Sequence, residues 1–207
     1  MSEKQAQYDR AAERWTEEAY ADPSRYLARR AALVAELGGR LEPGEGVLDL
    51  ACGDGGLGAH LLARGLDYRG VDLSAPMVEA ARARLGDRVE QGDLNDYAPP
   101  DPVAATTVFR AIYYAHDRLA FFRHAAGYTE RKLVFDLNPR QYRLEDVTQD
   151  LRAAGFAHVA LRPFFTPQTH ALPRPLATAV EATERVGPVA RAALRFRFTY
   201  LVAGSKA

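Results

Sequence analysis

The sequence has one cysteine, Cys52, no serine between Ser74 and Ser205, and nowhere 18 apolar residues in succession. A single thiol excludes an internal disulfide and any multi-cysteine zinc site, and no metal site is expected. The serine-free stretch leaves no serine nucleophile for a hydrolase there, and the lack of a long apolar run excludes a membrane-spanning helix. The first 30 residues are charged and helical in pattern rather than basic then apolar, so a soluble, cytoplasmic protein is expected. Net charge is missing too: 27 basic side chains match 27 acidic ones, so no overall field draws the chain to nucleic acid. The balance is uneven along the chain, however. Residues 140–207 hold 10 basic and 5 acidic side chains against 17 and 22 before them, which hints at an anionic partner.

What is present is length and apolar content for one core: 207 residues, 47% hydrophobic. Tyr8, Ala11, Ala12, Trp15 and Ala19 share a helical face; Asp22-Pro23 stops that helix, and Ser24 can cap a second one carrying Leu27, Ala31, Val34 and Leu37. After Pro43-Gly44, short apolar runs alternate with helical patterns. Val47 to Ala51, Tyr68 to Asp72 and Val89 to Asp93 read as strands, with helices near Leu57 to Ala63 and Ser74 to Leu85 between them. A proline-rich linker, a buried strand Val103 to Phe109, a helix Arg118 to Ala126, a strand Lys132 to Leu137, a helix around Val147 and a strand His158 to Leu161 continue the pattern. Pro163 to Pro175 reads as a loop, Leu176 to Leu194 as a helix broken at Gly187-Pro188, and residues 195–203 as a strand of period two. Such alternation specifies an α/β fold with a parallel sheet and right-handed crossovers.

Gly53, Gly55 and Gly58 spell G-x-G-x-x-G between a strand and a helix, the spacing of a dinucleotide loop. Asp49 and Asp54 flank this turn and would repel a pyrophosphate, whereas they suit the ammonium and sulfonium of S-adenosylmethionine. Asp72, 19 positions after Gly53, can accept from both ribose hydroxyls. Asp93 can accept from an adenine amine, with Leu73, Met77 and Leu94 over the ring faces.

Taken together, Val47 to Gly55, Gly70 to Ser74 with Met77, and Gly92 to Leu94 resemble the three main cofactor motifs of class I S-adenosylmethionine-dependent methyltransferases. The resemblance implies a Rossmann-like, seven-stranded, mostly parallel sheet with helices on both faces and an antiparallel last strand. It also implies residues 1–40 as a helical lid of the same domain, residues 41–207 as the methyltransferase domain, and Tyr8 and Trp15 as walls. The cofactor would be S-adenosyl-L-methionine. Its contacts would be Asp49, Ala51, Cys52, Gly53, Gly55, Asp72, Leu73, Met77, Asp93, Leu94 and Arg110, with Cys52 a small packing residue rather than a nucleophile.

Ligands bind at the carboxyl ends of parallel strands, so the fourth and fifth strands should face the transferred methyl group. They offer Arg110, Tyr113, Tyr114 and His116, then Asp136, Asn138 and Arg140. His116 is the candidate base, Tyr113 and Tyr114 can orient an acceptor, and Arg110 with Arg140 can clamp a carboxylate or phosphate. His170 is read as surface. The acceptor is expected to be a small molecule, and an anionic one fits the basic C-terminal third. Two rivals stand beside this: a nicotinamide-dependent oxidoreductase, since Tyr128-Thr-Glu-Arg-Lys132 spells Tyr-x-x-x-Lys, and a cofactor-binding protein of this fold without methyl transfer.

Overall fold

The computed structural model describes residues 12–189, 192 and 199–207. Tyr8 and residues 195–198 of the expected last strand lie outside them. Seven strands form one sheet in the order β3-β2-β1-β4-β5-β7-β6. They are β1 (Gly46–Leu50), β2 (Asp67–Asp72), β3 (Val89–Gln91), β4 (Val103–Val108), β5 (Thr129–Leu137), β6 (His158–Pro163) and β7 (Tyr200–Ser205). The first five pair in parallel, while β7 runs antiparallel between β5 and β6, with Phe135 opposite Val202. This is the expected Rossmann-like sheet with its antiparallel last strand.

Side-chain alternation sends the two faces to different cores. Leu48, Leu50, Leu133, Phe135 and Val202 join Phe122, Val147 and Leu151 from helices α5 (Arg118–Tyr128) and α6 (Leu144–Ala153). Val47, Val134, Leu201 and Ala203 join Leu27, Val34, Leu57 and Leu61 from α2 (Pro23–Glu36) and α3 (Gly56–Leu62). By the same parity Asp49 and Asp136 project toward α2, on the face of Val47 and Val134. The other described helices are α1 (Trp15–Ala19), α4 (Ala75–Leu85) and α7 (Arg174–Thr183).

Several local readings shift. Ser24 is not the cap of α2: Asp22 accepts from Arg25 N–H at 3.1 Å and Pro23 is the first helical residue, where a missing N–H costs nothing. The period-two reading of the last strand also fails over its described part, since all of Tyr200–Ser205 is buried. Pairing on both edges and cores on both faces leave β7 no solvent side. Strand β6 runs on to Pro163, which a sheet edge tolerates. Lys132, nearly inaccessible in β5, donates Nζ to the carbonyls of Leu37 and Gly39 just beyond the end of α2, at 2.8 and 2.5 Å.

Candidate cofactor and acceptor site

The sheet order reverses between β1 and β4, and the crevice at their carboxyl ends is where open α/β sheets bind ligands. A cavity of about 290 Å³ opens there. Its lining collects Asp49, Ala51, Cys52, Gly53, Asp72, Leu73, Met77, Asp93, Leu94, Arg110, Tyr114 and His116 from separate strand ends. Of the expected cofactor set only Gly55 falls outside the lining; at φ 76° it makes the left-handed turn into α3 instead.

Asp49 is 2% exposed, and its carboxylate accepts from Thr107 Oγ1 at 2.6 Å and Tyr68 Oη at 3.2 Å. Burial raises its carboxyl from the ordinary 3.8 to about 6, against the opposing pull of those two hydrogen bonds and of Arg30. Such a buried acid gains most from a cation brought beside it. Asp72 receives Gly53 N–H at 2.8 Å and Ser74 N–H at 2.9 Å, one on each oxygen. A carboxylate has about four acceptor positions, so capacity remains for ribose hydroxyls. Asp93 is steadied by Asn95 through one oxygen. Leu73 stands 54% exposed while Met77 and Leu94 are buried, so an apolar wall faces open space beside Asp72 and Asp93, suited to a flat aromatic base.

Asp54 departs from its expected role. It accepts from Thr16 N–H at 3.0 Å, Thr16 Oγ1 at 2.6 Å and Gly56 N–H at 3.2 Å, and pairs with Arg84 at 3.2 Å. Its charge is consumed in fastening residue 16 to the glycine loop, so of the two flanking acids only Asp49 is left for a ligand cation. Asp54 also occupies the amide at the start of α3, where a dinucleotide pyrophosphate would sit. Cys52 remains a thiol, because burial beside Asp49 and Asp72 pushes its pKa well above the usual value.

Toward β4 and β5 the picture is mixed. His116 is exposed at the rim, its N–H donating to Asn95 Oδ1 at 3.0 Å. Tyr113 and Tyr114 are 39% and 37% exposed with ring centroids 4.4 Å apart, and only Tyr114 lines the cavity. Asn138 and Arg140 are not in its lining; the Asn138 side chain accepts from Arg140 N–H to close a turn. Asp136 is turned toward α2, meeting Arg110 N–H at 2.7 Å and Arg30 at 3.5 Å. His170 is exposed beside Thr169, as expected of a surface residue. Trp15 lines the cavity beside the glycine loop, as expected of a wall.

Sequence reading missed Thr16, Tyr20, Leu27, Arg30 and Phe109, all in the lining. One signal was present: Arg30 interrupts the apolar stripe Leu27, Ala31, Val34, and an arginine on a buried helix face calls for a partner. The Tyr-x-x-x-Lys pattern assembles no site. Tyr128 ends α5 with its hydroxyl buried and without a hydrogen-bond partner among the described residues, while Lys132 is spent on backbone carbonyls.

Residues 47–131 match the family model for a methyltransferase domain. An uncharacterized methyltransferase of Geobacillus thermodenitrificans is 31% identical over 113 residues, covering 53% of this chain and 50% of the relative. The chain thus matches only about half the length of that curated relative. Among solved structures, a chain of the Haloferax volcanii complex between the Trm112 methyltransferase activator and a protein described as a methyltransferase superposes with a TM-score of 0.67 at 22% identity, covering 96% of each chain. Magnesium protoporphyrin IX methyltransferase of Synechocystis, solved with S-adenosylhomocysteine, gives 0.61 at 18% identity over 88% of this chain and 83% of its own. Residues 47–131 thus match a methyltransferase domain, and the chain has the fold of these methyltransferase structures.

Proposed function

We propose that the protein binds S-adenosyl-L-methionine in this cavity and transfers its methyl group to a small-molecule acceptor. One observation carries the reading: a single crevice gathers a buried acid on β1, a second acid on β2 and a third after β3, around a left-handed glycine turn and an apolar wall. In this reading Asp49 takes the ammonium, Asp72 the ribose hydroxyls and Asp93 the adenine amine, with Leu73, Met77 and Leu94 against the base. The bound cofactor supplies an electrophilic methyl carbon on a cationic sulfur. The chain's own contribution is to hold the nucleophile close and exclude water, which residues 12–20 assist by covering the glycine loop. Where an acceptor must lose a proton, His116 at the rim receives it and Tyr114 orients the acceptor. Methyltransferases of known structure with this fold include ones acting on magnesium protoporphyrin IX and on geranyl diphosphate, which agrees with a small acceptor.

Calorimetry with S-adenosylhomocysteine and with NAD tests the reading. Saturable heat is expected for the first and none for the second. Asp72→Asn, which trades a doubly accepting carboxylate for an amide, should weaken the homocysteine ligand by about 10- to 100-fold. A preference for NAD, or an unchanged affinity in Asp72→Asn, would discard the assignment.

A further inference from the structure

The end of the cavity away from Asp72 and Asp93 carries Arg110, which the sequence placed among the cofactor contacts and which the proposed contacts to the ammonium, ribose and adenine leave unassigned. Arg110 has a left-handed backbone, φ 56°, pinned by its N–H to Asp136 at 2.7 Å. Its guanidinium stacks 5.1 Å from the Trp15 ring and 5.8 Å from Tyr20. No described residue accepts a hydrogen bond from its Nη1, which is also shielded from solvent. Stacking covers the faces of the guanidinium and leaves bonding to its edge, the fork that matches two oxygens of an oxyanion.

Arg30 lies behind it and is 2% exposed, with rings on several sides: Phe109 at 4.3 Å, Tyr26 at 4.9 Å and Phe164 at 5.8 Å. Two phenols, Tyr26 at 3.1 Å and Tyr20 at 3.5 Å, accept from it, and its Nε has no acceptor among the described residues. Asp136 is the carboxylate paired with Arg30, yet it stands 3.5 Å away and spends its other oxygen on the Arg110 backbone N–H. Asp49, the next acid, is engaged by Thr107 and Tyr68. Arg30 thus has one loosely held carboxylate, and the Arg110 guanidinium has no ion pair among the described residues, an arrangement that an arriving anion would complete.

We propose that this end of the cavity is the acceptor's docking subsite, and that it selects a carboxylate or phosphate on the acceptor through Arg110, with Arg30 as a positioning residue. The proposal rests on the methyltransferase reading. Arg110 and Asp136 mark the ends of β4 and β5, beyond Asp49 on β1, where the cofactor's ammonium would end. The subsite therefore lies on the side of the crevice from which an acceptor approaches the methyl group.

Trp15 is the chain's one tryptophan and touches Arg110, so its fluorescence reports on the subsite directly. Protein saturated with S-adenosylhomocysteine would be titrated with acetate, benzoate and inorganic phosphate at constant ionic strength. A saturable change with at least one anion is expected, weakened about tenfold or more in Arg110→Asn, with S-adenosylhomocysteine affinity within about twofold of the parent. Asparagine accepts the left-handed backbone, so this variant keeps the fold. Tyr26→Phe, which removes one hydroxyl from Arg30 and keeps the ring, should weaken the same anions by a smaller factor and leave the cofactor product alone. Absence of a saturable signal, or equal anion binding in Arg110→Asn, overturns the subsite. So does a tenfold loss of S-adenosylhomocysteine in Arg110→Asn with 5′-methylthioadenosine unaffected, because Arg110 would then belong to the cofactor's own carboxylate. Failure of the parent protein to bind S-adenosylhomocysteine at all would instead strike the methyltransferase reading.

Discussion

At the residue scale, the carboxyl of Asp49 couples the site to pH. Its folded value of about 6 lies above the ordinary 3.8, so between roughly pH 4 and 6 the unfolded chain releases this proton while the folded chain keeps it. The group's contribution to stability therefore falls as pH rises through that window. With Asp49 taking the ammonium as proposed, ligand binding has the opposite slope, because an ammonium needs the ionised carboxylate. Affinity for S-adenosylhomocysteine is expected to drop below about pH 6, by up to about tenfold per pH unit, with proton release on binding near pH 6. Calorimetry at pH 5 and 7 in buffers of different ionisation heat measures both, and a flat profile would remove Asp49 from the ammonium. His116 makes a second residue-scale expectation. With any acceptor that is deprotonated during turnover, His116→Ala should lower kcat by about a hundredfold. An unchanged kcat would reduce His116 to a wall. Ala51 and Arg110 are the non-glycine residues with positive φ in the described chain, at 57° and 56°, and both line the cavity. Strain of this kind persists where surrounding bonds over-determine it, as Asp136 does for Arg110.

At the scale of elements, the latch between residue 16 and the glycine loop decides how the N-terminal segment lies. Thr16 gives two donors to Asp54, and Gly56 makes room for it: a Cβ at Gly56 would sit 2.4 Å from Thr16 Oγ1. Thr16→Val keeps the volume and removes the hydroxyl, leaving a buried carboxylate one donor short. A loss of about 1–3 kcal/mol is expected, with faster amide exchange over Trp15–Ala19. Unchanged exchange there would mean that the segment is held by packing alone. Much at this scale was readable in advance, since helix caps and strand runs are written in adjacent residues. The helix read from about Ser74 to Leu85 is α4, and Ser74 caps it, accepting from Met77 N–H at 3.4 Å. Asp22 was misread because a proline after an acid serves equally as a stop and as a first helical residue.

At the scale of the molecule, the segment after β6 is clasped to α2. Glu184, its side chain inaccessible, pairs with Arg29 and accepts Phe165 N–H at 2.8 Å, while Arg25 reaches Glu181 at 3.0 Å. This closure brings Phe164 onto Arg30 and so helps wall the site from a distant stretch of sequence. Glu184→Ala should destabilise the protein by about 3–5 kcal/mol in urea unfolding, since it strands Arg29 and an amide together. A change under about 1 kcal/mol would show that the clasp is ornamental to stability.

The sequence by itself determined the alternation of strands and helices, the glycine turn and the strand-end acids Asp49, Asp72 and Asp93, because each is a local pattern of period, backbone freedom or adjacency. Only the tertiary structure decided that Asp54 faces Thr16 and Arg84, that Asp136 turns to Arg30, and that Asn138 and Arg140 stay outside the cavity. The physical reason is that a side chain's partner is set by which face of the sheet it leaves and which distant helix covers that face. No spacing along the chain carries that information.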